Sequence, residues 1–219
     1  MIPAIIKRDM TLAWRSGGAW LYGVFFFAVF VALSAIALGG SLAVLREFAA
    51  PLIWLAVIFA TLLSLPSLFR EDYDDGTLAH LKLINGELLP YVIAKAFVFV
   101  ILSFLPLLLA TPIAGLLFGL SVSANMAIMG SLILAMPAIA AYGILTSAIL
   151  VSSKGGGFLI VLLTAPFLIP LLIFGLGAVD AYISDGIAAT EFQILIGLDL
   201  IAAAIALPLA SAALNTNME

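Results

Sequence analysis

Long apolar runs alternate with short polar breaks along this chain. A helix needs about 20 apolar residues to cross a bilayer. Six runs meet that length, roughly 19–38, 49–69, 91–118, 124–151, 158–178 and 194–213. The pattern predicts an all-α membrane protein with six transmembrane helices in one domain spanning 1–219. The third and fourth runs exceed one bilayer thickness, so they should tilt or kink. Pro106 and Pro112 interrupt the third, Pro137 the fourth, and Pro166 and Pro170 the fifth. Each proline frees a carbonyl one turn earlier, which a neighbouring helix or water must satisfy inside a membrane. The first run follows Lys7, Arg8 and Arg15. It is longer than a signal-peptide core and reads as a retained helix.

Composition agrees with the pattern. Hydrophobic residues make up 65% and charged residues 9% of the 219, against about 25% charged in a soluble domain. Disorder, nucleic-acid binding and a secreted disulfide scaffold are excluded. There is no Cys, which removes thiolate metal sites and cysteine nucleophiles. The position of the basic residues sets the orientation. With the N-terminus inside, the inner segments hold Lys7, Arg8, Arg15, Arg70, Lys82, Lys95 and Lys154, and the outer ones only Arg46. Both termini are therefore expected in the cytoplasm. The outer stretch 179–193 carries Asp180, Asp185 and Glu191 among small and apolar residues. It reads either as a surface loop or as a short re-entrant segment.

Residues 2–16 have helical amphipathic spacing. Ile2, Ile5, Ile6, Met10 and Ala13 share one face, and Lys7, Arg8, Thr11 and Arg15 take the other, facing headgroups. Asp9 falls at the edge of the apolar face, where an acid needs a partner; a basic residue of the 70–95 loop could supply it, though the sequence does not name which. The stretch 70–86 holds four of the twelve acids in five positions, Glu71, Asp72, Asp74 and Asp75. Asp75 or Thr77 can cap a short helix over Leu78, Leu81 and Ile84, and Asn85-Gly86 can stop it. His80 lies on that helix as a polar surface residue. A rigid helix with an acidic entrance, between two spans on the inside, is suited to docking a cytoplasmic partner. The second inner loop, 152–157, contains Lys154, Gly155 and Gly156 and should lie beside it. It lacks the spacing of a nucleotide-binding loop.

Catalytic chemistry is thin. One histidine excludes bis-histidine haem ligation and a histidine-rich metal site, and no catalytic constellation is present. No metal site and no directly bound cofactor are expected. Met126, Met129 and Met136 lie on the fourth run and fill space, haem ligation being the alternative. Asp199 is an intramembrane acid about five residues into the last run. It either relays protons or faces the outer headgroups. The helices are those of a transporter without an energy-coupling site, together with an inner docking surface. An integral subunit driven by a separate ATPase accounts for all of these features.

The run Phe69-Arg70-Glu71-Asp72, continuing through Asp75-Gly76-Thr77-Leu78 to Leu81, resembles the inner-loop motif of type-2 ABC exporter permeases. Lys154-Gly155-Gly156 followed by Ala165 to Gly175 is similar to the fifth span of the CcmB family, the haem exporter B permeases of cytochrome c maturation. Trp54, Lys95 and the total length fit as well. The resemblance covers essentially the whole chain. It implies a permease pair in the bacterial inner membrane, bound to two copies of a CcmA-type ATPase and associated with CcmC- and CcmD-type membrane subunits. ATP is held and hydrolysed on the partner. Haem is the implied cargo, or its loaded chaperone CcmE the species released. Arg70, Glu71, Asp72, Asp74, Asp75, Gly76, Thr77, Leu78, His80 and Leu81 would form the coupling loop. Two departures stand out: Ala79 replaces a Glu usual in the family, and no proline lies near Asn85. The competing readings are a type-2 ABC permease for lipid, polysaccharide or drug, and a proton-coupled secondary transporter.

Overall fold

The computed structural model describes residues 2–16, 19–153 and 155–218; side chains are described for these except 13–16, 19, 20 and 85. Expectations placed on Ala13, Arg15 and Lys154, and on the side chain of Asn85, lie outside the described residues. All regular structure among the described residues is helical. Helix α1 covers Ile2–Ser16, α2 Ala19–Ala37 and α3 Leu42–Ser64. Two short helices follow, α4 Arg70–Asp74 and α5 Thr77–Asn85. The third long element is α6 Leu89–Phe99, a π-helical turn Val100–Phe104 and α7 Leu105–Leu117. Then come α8 Val122–Ile149, α9 Gly156–Asp185 and α10 Ala189–Thr216.

Among the described residues, five helices are long and apolar enough to cross a membrane: α3, the α6–α7 element, α8, α9 and α10. The α2 helix is shorter, with an apolar stretch of Leu21–Ala37. The centre of the bundle is α8, whose apolar window is 56% buried against 28% for α9 and for α10. It packs on α9, α10, α7 and α6. Small residues let the helices approach, as is usual where lipid supplies no hydrophobic drive between them. A Cβ on Gly23 would lie 2.9 Å from the Ala60 carbonyl oxygen, and one on Gly175 only 2.1 Å from the indole of Trp54. Trp54 is fully buried and donates through Nε1 to Ser131 Oγ at 3.2 Å, joining α3 to α8. Thr146 and Thr164 share a hydrogen bond of 2.6 Å between α8 and α9, where Tyr142 also stacks on Phe167.

The expected break at 179–193 is much shorter in the structure. Helix α9 runs on to Asp185, Gly186 at φ +73 ends it, and α10 resumes at Ala189. Three residues make the turn, so there is no separate re-entrant segment. The small and apolar residues in this stretch simply continue the helical pattern of the two spans. The long third run is kinked where Pro106 enters. Proline has no N–H, and its ring presses on the carbonyl four residues back. The backbone responds with the π turn, in which the Leu105 amide donates to the Val100 carbonyl.

Polar side chains tie both ends of the chain to the short helices. Lys82 Nζ donates to the Asn215 carbonyl at 2.9 Å, and the Tyr73 hydroxyl to the Asn217 carbonyl at 3.4 Å. Asn217 also accepts from Ser152 and donates to the Ala213 and Ala148 carbonyls. Helix α1 packs on α6 at the same end. We call this the charged end. At the far end, Arg46 Nε donates to the Gly119 carbonyl at 2.7 Å, joining the start of α3 to the α7–α8 turn.

Candidate functional site: a charge cluster beneath a docking segment

The stretch 70–86 forms two helices set at an angle by a single glycine. Gly76 has φ +78, a left-handed conformation that other residues adopt at a cost. Just before it, the Asp75 carboxylate accepts the Thr77 amide at 2.8 Å and caps the start of α5. Gly86, at φ +70, ends α5. The cap, helix and stop expected from the sequence are therefore all present.

The outer surface of this segment carries Glu71, Asp74, Asp75, Gly76, Ala79 and His80, all exposed. Leu83 is 86% exposed and Ile84 65%. Leu78 is buried and Leu81 half-buried, both packed against the core. Ile84, the third residue of that apolar-periodic run, lies outside. A period of 3.6 turns position 84 about 60° from Leu81 and about 120° from Leu78, enough to bring it to the surface. Leu83 and Ile84 thus form an apolar tip beside an acidic rim.

Two struts hold the segment. Arg70 pairs with Asp74 at 2.8 Å and donates to the carbonyls of Val151 and Ser153 at 3.1 and 3.2 Å. The second short loop therefore sits beside the docking segment, as expected, with Gly155 at φ +78 and Gly156 opening α9. A recess of about 220 Å³ lies between them, lined by Phe69, Arg70, Val151, Ser153 and Ile160 among others. Lys82 supplies the second strut, to α10.

Asp72 departs from the outward-facing acidic entrance. It is 6% exposed and points into the protein, because the helical period sends it about 200° round from Asp74, to the opposite side of α4. There it meets Arg8, whose Nη2 lies 2.9 Å from both Asp72 oxygens, and Lys95, whose Nζ is 2.7 Å away. The Tyr91 hydroxyl donates to the same carboxylate. Lys95 also pairs with Asp9 at 2.9 Å, and Arg8 Nε with Asp9 at 2.8 Å. Burial alone would raise the Asp72 carboxyl, but Lys95, Tyr91 and Arg8 outweigh it and hold it below the usual carboxylate range. The cluster joins α1, α4 and α6, three segments far apart in sequence.

This cluster answers the question left by Asp9 and corrects the place of Arg8. Arg8 was expected on the headgroup side, but it turns inward to two buried acids. Ile5 is buried and Ile2 and Ile6 partly so, packed on protein, so α1 is docked on the bundle. Sequence reasoning did not assemble these groups. One signal was available: Lys95 stands a few residues inside an apolar run, and an ionisable group there demands a partner.

Asp199 lies ten residues into α10, which begins at Ala189, about 15 Å of helix before it. Its Oδ1 accepts the Ala138 amide at 2.9 Å, directly after Pro137. The carboxylate thus joins α10 to the backbone of α8 next to its proline. Met126 is exposed, and Met129 and Met136 are half-buried.

A bundle that is all-helical among the described residues, with small-residue helix contacts, five helices long and apolar enough to cross a membrane and most of its charge at one end, defines a multi-pass integral membrane protein. The family model described as "CcmB protein" matches residues 1–217. Proteins named heme exporter protein B are similar along most of their length. The relative from Bradyrhizobium diazoefficiens is 37% identical over 97% of this chain and 96% of its own. That from Rhodobacter capsulatus is 36% identical over 96% of each chain, and that from Paracoccus denitrificans 33% over the whole of both. The chain belongs to the CcmB family and is a multi-pass protein of the bacterial inner membrane.

Proposed function

We propose that this chain is the permease subunit of an ABC complex for cytochrome c maturation, driven by ATP hydrolysis on a separate CcmA-type ATPase. The observation that carries this reading is the docking segment 70–86. Its exposed acids and its Leu83–Ile84 tip form a surface that a groove with apolar walls and a basic rim would fit. Its struts run to the α8–α9 turn, α10 and the charge cluster, so a push on it reaches several spans. In this reading α2 is the sixth span and the charged end is cytoplasmic. Helix α2 links α1, at the charged end, to the start of α3, at the far end. Its 19 residues amount to about 28 Å of helix, close to the hydrocarbon thickness. Two copies would pair, each seated on one ATPase and flanked by CcmC- and CcmD-type subunits. The outcome is haem export or release of the haem-loaded chaperone CcmE.

Two measurements test this. In a strain lacking the gene, covalent-haem staining of c-type cytochromes should lose every band and regain them with a plasmid copy. Unchanged bands, in a strain with no second copy, would remove the cytochrome assignment. Leu83→Asp should abolish co-purification of the ATPase with the chain still in the membrane. Unaltered co-purification would refute docking through this helix.

A further inference from the structure

The third long element is divided at its π turn into halves with different neighbours. The half α6 packs on α1, α10 and α8, and carries Tyr91 and Lys95 of the charge cluster. The half α7 packs on α2, α3 and α8, near the Arg46 tie at the far end. Between them lie five residues, Val100–Phe104, where the helical hydrogen bond reaches five residues back. A π turn is a place where a helix can change direction, because its amides can exchange between two carbonyls. Pro106, just beyond, has no N–H with which to restore the regular ladder.

Lys95 sits about one and a half turns, roughly 7.5 Å, before that break. It is 11% exposed and bound at once to Asp72 on α4 and Asp9 on α1. Arg8 closes the ring by bonding both acids. A displacement of α4 is therefore delivered to α6 through a charged, mostly buried joint, with little slack in contacts of 2.7–2.9 Å.

We propose that α1, α4 and α6 move as one lever, that the π turn Val100–Phe104 is its hinge, and that Arg8, Asp72 and Lys95 are the positioning residues that lock the lever to the docking segment. The lever rests on the proposed coupling to a separate ATPase, and extends it by naming the span that receives the motion. Helix α1 is then a working part of the transmission, and α7 stays with α2 and α3 while α6 swings.

The chain has no cysteine, so labels can be placed by substitution alone. Thr11 on α1, Phe97 on α6 and Ile113 on α7 are all exposed. Spin labels would be introduced as Thr11→Cys with Phe97→Cys, and as Phe97→Cys with Ile113→Cys. They would sit on one copy in the assembled complex with its ATPase, in lipid, and be read with and without ATP. The Phe97–Ile113 distance should shift with ATP, and the Thr11–Phe97 distance should not. Lys95→Gln should lose the Phe97–Ile113 shift while the ATPase still co-purifies, and Lys95→Arg should restore it. Asp72→Asn offers the same test if Lys95→Gln fails to assemble. A static Phe97–Ile113 distance in a complex that binds and hydrolyses ATP would overturn the lever and leave the coupling reading standing. A Thr11–Phe97 distance that shifts would do the same. Absence of any co-purifying ATPase from the wild-type chain would overturn both.

Discussion

Replacing Lys95 by methionine is the sharpest perturbation of the charge cluster. It keeps an unbranched side chain, one atom shorter, and removes the ammonium with its charge and its hydrogen-bond donors. The cluster is balanced, with Arg8 and Lys95 against Asp9 and Asp72. Without Lys95, two carboxylates whose side chains are 7% and 8% exposed share one guanidinium that is 34% exposed. Removing one partner of a buried pair costs about 3–5 kcal/mol. Because Arg8 is partly solvated and still bonds both acids, we expect the lower limit, about 3 kcal/mol. Adding Asp72→Asn restores balance as an Arg8–Asp9 pair. The double variant should then recover about 1–2 kcal/mol relative to Lys95→Met alone, a positive coupling of the kind found within one ion network. Thermal unfolding of the purified chain in lipid nanodiscs gives the three values, and hydrogen exchange of the α1 amides localises the loss to the charged end. If the double variant loses the sum of the two singles, the groups act independently and the reasoning fails. It fails equally if Lys95→Met loses nothing.

Gly175→Ala would place a Cβ 2.1 Å from the buried Trp54 indole, about 1.5 Å inside normal contact, and should cost about 1–3 kcal/mol in the same unfolding assay. Trp54→Phe should relieve part of that cost, and a strictly additive double variant would refute the contact. Asp72 has a folded-state pKa below its unfolded value of about 3.9. Its stabilisation is therefore complete above that unfolded value and is lost only as pH falls through the lower folded value. A spin label at Thr11→Cys should stay immobile until strongly acid pH, with Lys95→Gln moving the onset upward; the same onset in both would refute Lys95 as the main cause. Asp199→Asn keeps an acceptor for the Ala138 amide and should leave folding and cytochrome yield intact, whereas Asp199→Leu orphans that amide and should cost about 1–3 kcal/mol. Loss of function in a well-folded Asp199→Asn would instead point to a proton relay.

The apolar runs made the long helices legible, because in lipid a run of the right length has few other ways to satisfy its backbone. The short helix α5 was legible for a different reason, whereas α4 before it was not foreseen. Asp75 and Gly86 are punctuation, and each does locally what its chemistry dictates. The turn between α9 and α10 was misjudged because acids at 180 and 185 look like a loop. One turn of solvated helix beyond the bilayer accommodates them equally well. Arg8, Asp9, Asp72 and Lys95 lie on three segments, and no local rule brings them together. Their pairing is a tertiary fact, and only the position of Lys95 inside an apolar run hinted at it.

The placement of polar groups in the spans bears on what kind of device this is. Asp199 serves the amide after Pro137, Trp54 bonds Ser131, Thr146 bonds Thr164, and Ser147 donates to the Leu65 carbonyl. Each joins one helix to another, and Ser147 also lines the recess beside the 70–86 segment. The paired charges are gathered at one end, around the base of an exposed helix and against the α6 half of the third long element, before its π turn. A chain that transmits force would hold its helices together by internal bonds and concentrate strong contacts where the force enters. These residues build that arrangement, and it supports the proposed role of the subunit in passing motion from the 70–86 segment to the spans.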